Sequence, residues 1–121
     1  MKRSKPPRIR INSPGPGAVL GRDERARHER RRDDREGETT EVRWTIDDPD
    51  TPDNLVRVEV AYSYDEGRSW VPIGVDIPGT DRALTFDSSE APDSDGEGVV
   101  RVFVSDGLNT AYDDVTGLTL R

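Results

Sequence analysis

Along several short stretches of this chain apolar and polar residues alternate, and nowhere do they take the wider spacing of a long amphipathic helix. The clearest stretches are Thr40–Ile46, with Val42, Trp44 and Ile46 on one side, and Leu55–Tyr64, with Val56, Val58, Val60, Tyr62 and Tyr64 opposite Arg57, Glu59, Ala61 and Ser63. Such period-two alternation marks half-buried strands, because successive side chains of an extended chain point to opposite faces. The same reading predicts strands at Arg8–Asn12, Trp70–Ile73, Arg82–Asp87, Val99–Ser105 and Val115–Leu120. Leu84, Phe86, Val100, Val102, Val104, Leu118 and Leu120 are their inward positions.

Between these strands lie turn-forming residues. Ser13-Pro14-Gly15-Pro16-Gly17 ends the first strand, and Ala18–Gly21 is a brief apolar return. Gly74–Asp81 reads as a connection, Ser88–Gly98 as a turn-rich loop, Asp106-Gly107 as a turn, and Leu108–Asp114 as a crossing back to the last strand. About seven short strands with turn signals between them predict an all-β sandwich.

The stretch Ser63-Tyr64-Asp65-Glu66-Gly67-Arg68-Ser69-Trp70 joins two predicted strands. Asp65–Arg68 is best read as a hairpin loop in which Gly67 supplies a positive φ. The pattern S-x-D-x-G-x-S-W resembles the Asp box, a hairpin motif of sialidases and other β-proteins, and that resemblance implies a turn-shaping role for Asp65, Gly67 and Trp70. Trp44, flanked by β-branched residues, is expected to anchor the core, given the area a buried indole contributes.

Composition narrows where the folded region lies. Hydrophobic residues make up 31% of the 121 and charged residues 36%, a balance that would predict disorder if evenly spread, but the apolar residues cluster after position 40. The division expected is a tail at 1–7 and one sandwich over 8–121, interrupted after the first strand by a charged insertion at 22–39. With no cysteine and one histidine, His28, the chain offers no disulfide, no thiolate site and no multi-histidine metal site. The positive start Met1–Lys5 lacks the apolar run of a signal peptide, and no stretch reaches the length of a spanning helix. The expectation is a chain without an export signal or membrane insertion, acting where it is made or as a module of a longer precursor.

Charge divides the chain. Residues 1–37 hold 12 Lys and Arg against 6 Asp and Glu, hence +6, whereas residues 38–121 hold 6 against 19, hence −13. An acidic body makes nucleic acid an unsuitable partner for the folded region, since phosphate binding rests on a clustered positive field. Arg22–Glu36 is almost wholly charged, and with Ala26 its one apolar residue it has no face to bury. It reads either as a solvated loop or as an arm in which Arg27, Arg30, Arg31, Arg32 and Arg35 reach an acidic partner or the acidic body of a neighbouring copy.

The loop Asp47–Asn54 gathers carboxylates and prolines. Its spacing fails as a calcium-binding EF-hand, because Pro52 and Asp53 stand where a ligand and a turn glycine are needed. Two readings stay open: an irregular calcium site of Asp47, Asp48, Asp50 and Asp53, or an Asp/Pro turn that holds no metal.

A wider resemblance rests on W-T-x-D-D-P-D, an alternating strand ending Tyr-Ser, then D-x-G-x-S-W, then V-R-V-x-V-S-D-G-x-N-T-A. This order is similar to fibronectin type III or immunoglobulin-like modules of bacterial secreted and surface proteins. The resemblance spans about 7–121, puts Trp44 at the core tryptophan of the family's second strand and Asp106-Gly107 at the corner between its last two strands, and breaks at the insertion. It implies a non-catalytic assembly, adhesion or spacer module, at an extracellular, cell-surface or virion location. A carbohydrate-binding accessory module of a secreted hydrolase and a calcium-stabilised surface domain are the alternatives.

A sialidase-like enzyme is excluded on size, since a propeller repeats its blades and this chain has one box and no internal repeat. Ser63 has no histidine near it in sequence to act as a base. The readings left are a protein partner or neighbouring subunit, bound through a sheet edge, or protein or carbohydrate contact through an aromatic patch drawn from Tyr62, Tyr64, Trp70 and Tyr112.

Overall fold

The computed structural model describes residues 7–20, 39–47, 55–87 and 91–120. Among these the chain is all-β, with strands β1 (Arg8–Ser13), β2 (Val19–Leu20), β3 (Thr39–Asp47), β4 (Arg57–Ser63), β5 (Val71–Pro78), β6 (Ala83–Asp87), β7 (Gly98–Ser105) and β8 (Thr110–Leu120). They form a three-stranded sheet in the order β1-β3-β6 and a five-stranded sheet in the order β2-β8-β7-β4-β5.

The two sheets share one core, the arrangement of a β-sandwich. Val42, Trp44 and Ile46 come from β3, Val58, Val60 and Tyr62 from β4, Val100, Val102 and Val104 from β7, and Leu118 and Leu120 from β8. Alternation puts these side chains inside and leaves Glu41, Arg43, Thr45, Arg57 and Glu59 outside. Trp44 is the largest side chain buried this way, and its indole N–H has no acceptor among the described residues. Strand β4 departs from simple alternation at its end, where Ala61 and Ser63 are buried as well. Ala61 lies opposite both Pro72 and Arg101, and the Ser63 hydroxyl is taken up by the following turn.

One side of the sandwich is closed by a segment that passes from one sheet to the other, as β1 and then β2. Strand β1 pairs with β3 along its length, through a register shift between Ile11 and Ser13 after which Ser13 lies opposite Arg43. At the shift the Ile11 amide donates to the Asp113 carboxylate of β8 at 2.8 Å. After a turn, β2 joins the other sheet parallel to the end of β8, with Val19 opposite Thr119 and Leu20 opposite Leu120. Within the brief apolar return read at Ala18–Gly21, Val19–Leu20 is thus an edge strand. On the opposite side, Gly74 leaves room for β6, since a Cβ there would stand 2.7 Å from a Leu84 methyl.

Three expectations are corrected. Strand β5 runs on to Pro78 instead of ending at Ile73, because Val58 and Val60 of β4 pair with Ile77 and Gly74 through register shifts that absorb the awkward residues. Strand β8 begins at Thr110, so 110–114 is strand and not a crossing segment. Its acidic pair Asp113-Asp114, polar enough to read as a turn, has one carboxylate on Ile11 and the other on Arg101. Tyr64, expected on the core side with Tyr62, is exposed because the strand ends at Ser63.

Candidate functional site

The alternation that sends Val100, Val102 and Val104 inward sends Arg101 and Phe103 outward on β7. On the neighbouring strand Tyr112 and Asp114 take the matching outward positions, with Arg101 opposite Asp114 and Phe103 opposite Tyr112. Cross-strand neighbours on one sheet face are close enough to interact directly. Arg101 places Nε 2.7 Å from Asp114 Oδ1 and Nη2 2.8 Å from Oδ2, a bidentate fork with both side chains 27% exposed. This hydrogen bonding, opposed by partial burial and assisted by the charge of Asp114, raises the Arg101 pKa further above its ordinary value.

Trp70, from the hairpin between β4 and β5, reaches the same group across the face from Tyr112. The Arg101 guanidinium lies 4.7 Å from the centre of the Trp70 ring, 4.3 Å from that of Tyr112 and 5.9 Å from that of Phe103. Phe103 and Tyr112 pack with centroids 6.0 Å apart and ring planes tilted by 51°. A cation over an aromatic face is attracted by the ring quadrupole, so the pair and the three rings hold one another in place. Tyr112 is 57% exposed at the outer edge of this group. Across Phe103 from Tyr112, Glu59 on β4 is exposed.

The β4–β5 hairpin sets the position of Trp70. Ser63 Oγ donates to Asp65 Oδ1 at 2.8 Å and accepts the amides of Asp65 at 3.3 Å and Gly67 at 2.8 Å. Asp65 Oδ1 also accepts the Ser69 amide at 2.7 Å. Glu66 and Gly67 have φ of 61° and 93°, and a Cβ on Gly67 would stand 3.4 Å from the Trp70 ring. Partial desolvation opposes ionisation of Asp65, but the hydrogen bonds from Ser69, Ser63 and Arg68 outweigh it and hold the carboxyl below the usual range. The Ser63 hydroxyl is spent on this turn.

The other turn singled out in the sequence has a similar internal bonding pattern. Asp106 Oδ1 accepts the amides of Leu108 at 2.9 Å and Asn109 at 2.7 Å, and Gly107 takes a φ of 94°. Of the four aromatics proposed for a patch, Trp70 and Tyr112 meet around Arg101, and Tyr64 is exposed outside the group. Tyr62 is buried in the core, where its hydroxyl donates to the Pro92 carbonyl at 2.9 Å. Burial raises the Tyr62 pKa, the Asp93 charge adds to that, and a hydrogen bond with Ser94 offsets some of it.

Asp47 ends β3 with its side chain exposed, whereas Asp48, Asp50 and Asp53 lie outside the described residues. Among the described residues no group of three or more His, Asp or Glu side chains is placed to hold a metal ion. Arg27, Arg30, Arg31, Arg32 and Arg35 also lie outside the described residues. No helix among the described residues is long and apolar enough to cross a membrane.

Sequence reasoning does not single out Arg101, Phe103 or Asp114. The signal is present in V-R-V-F-V, whose polar phase puts Arg101 and Phe103 on one face. The sheet edge offered as a second binding resource is blunted at β5 by Pro72, Pro78 and two register shifts, features that resist strand addition. Comparison with family models, with curated proteins and with solved structures returned no match to this chain.

Proposed function

We propose that the chain is a non-catalytic interaction module of immunoglobulin or fibronectin type III type. In this reading it contacts a protein partner or neighbouring subunit through the outer face of the five-stranded sheet. The fold assignment is supported by strand order. Strands β1, β3 and β6 lie in the order of the family's first, second and fifth strands, and β7, β4 and β5 lie beside the last strand as in its second sheet. Fold alone does not carry function, so the reading rests on the surface.

The observation that carries it is a contrast between the two outer faces. The outer face of the three-stranded sheet is polar across its width, with Arg8, Arg10, Asn12, Glu41, Arg43, Thr45, Thr85 and Asp87. The sandwich architecture therefore does not itself require outward aromatics, yet the other face gathers Trp70, Phe103 and Tyr112 around one arginine. Tryptophan, tyrosine and arginine are the residues most enriched among those that dominate protein interfaces. Carbohydrate contact is less favoured, because the guanidinium already covers one face of the Trp70 and Tyr112 rings.

Site-specific photo-crosslinking tests the reading. A photoreactive residue at position 112 of the full chain, in its native source, should give adducts with a protein of defined mass. The same residue at position 85, on the polar face, should not. Equal adducts from both positions, or none from position 112, would sink it.

A further inference from the structure

The charge around the aromatic group adds a constraint on what covers it. The group itself is neutral, since Arg101 is matched by Asp114, and at the far side of the sheet Arg57 is matched by Asp76 at 3.3 Å. Its border is acidic. Glu59 stands exposed beside Phe103. At the end of the hairpin that carries Trp70, the Glu66 amide donates to the Glu97 carbonyl at 2.9 Å, so two exposed glutamates stand on adjoining backbone, with Asp95 exposed in the same loop as Glu97 and Arg68 exposed in the hairpin.

From this complementarity, and resting on the interaction reading above, we infer that the face docks a protein surface with an apolar centre and a rim of Lys and Arg. The aromatic centre supplies desolvated contact, while the acidic border steers and selects, because like charges opposed across an interface are costly. A second copy in face-to-face contact is excluded by the same argument, as it would set acidic border against acidic border. A nucleic acid is excluded because its phosphates would meet that border.

The test uses the isotopically labelled full chain and two synthetic peptides of equal length and charge, one alternating Lys with Leu and one alternating Lys with Ser. The Lys–Leu peptide should saturably shift the amide signals of Phe103 and Tyr112 and the indole signal of Trp70. Its affinity should weaken at least about tenfold in Tyr112→Ala, stay unchanged in Thr85→Ala, and fall as salt is raised. The Lys–Ser peptide should not saturate. Equal binding by both peptides, or shifts that survive Tyr112→Ala, would overturn the proposal. So would an alternating Glu–Leu peptide that occupied the same face as tightly, and that result would remove the basic rim while leaving the contact face intact. Failure of the crosslink at position 112 instead removes the contact face itself.

Discussion

The two outward faces of this sandwich are built by the same alternation and are used differently. On the three-stranded sheet, the outward positions hold isolated exposed pairs, Arg43 with Glu41 within β3 and Asn12 with Thr45 across β1 and β3, which compete with solvent and fix little. On the five-stranded sheet, the outward positions interlock across strands, so that Trp70 from the hairpin, Arg101 and Phe103 from β7, and Tyr112 and Asp114 from β8 form one body. The difference shows that an outer sheet face can be as specified as an inner one when a cation is shared among rings and a carboxylate.

The largest effect that sharpens this contrast comes from the two tryptophans. Trp44→Ala should cost about 3–5 kcal/mol, the range for truncating a buried aromatic, and Trp70→Ala distinctly less because Trp70 is half-buried. Denaturant unfolding of both variants checks the ranking, and an unchanged midpoint for Trp44→Ala would contradict its place in the core. Next, Arg101→Ala should cost about 1–3 kcal/mol, since it removes a charged bidentate hydrogen bond and the stacking on two rings. Arg43→Ala on the other face should fall within about 0.5 kcal/mol of zero. If the two arginine variants matched, the outer faces would be equivalent after all.

Tyr112→Ala should lower stability by about 0.2–1 kcal/mol, the range for a cross-strand aromatic pair, while weakening partner contact far more. Calorimetry and the peptide titration, run on the same sample, separate the two effects. The smallest expected effect is a pH dependence at the hairpin. Because the folded pKa of Asp65 is lowered, its contribution is present above the ordinary carboxylate range and is lost as pH falls through the lowered value. The gap in unfolding midpoint between the native chain and Asp65→Asn should accordingly be open at neutral pH and close in acid. A gap that widened in acid would reverse the assignment.

Much of the interior is legible in the sequence. Valines, isoleucines and tryptophan at period two place Val42, Trp44, Ile46, Val58, Val60, Tyr62, Val100, Val102 and Val104 on the correct side, because burial of one sheet face requires that pattern. What is not legible depends on partners distant in sequence. Asp113 and Asp114 look like turn residues until Ile11 and Arg101 are brought to them. Val19-Leu20 is too short to read as a strand without the end of β8 alongside it. Likewise, Arg101 and Phe103 read as no more than the outward phase of V-R-V-F-V, and nothing local says that Trp70 and Tyr112 converge on Arg101. Gly74–Asp81 reads as a connection since its proline and glycine are turn signals, but on an edge strand the missing amide of Pro78 faces no required neighbour.

The parallel pairing of β2 with β8 has a mechanical consequence. The Gly17 amide bonds to the Thr116 carbonyl at 3.1 Å and the Thr119 amide to the Ala18 carbonyl at 3.0 Å. A pull that draws Gly17 one way and Leu120 the other acts along both strands in opposite directions, so these bonds bear the load together. In an antiparallel hairpin pulled from its open end the bonds would instead break in succession, each carrying the load alone. Tension transmitted through the sandwich in this direction meets a shear clamp, and yielding requires that β2 and β8 slide past each other as a unit.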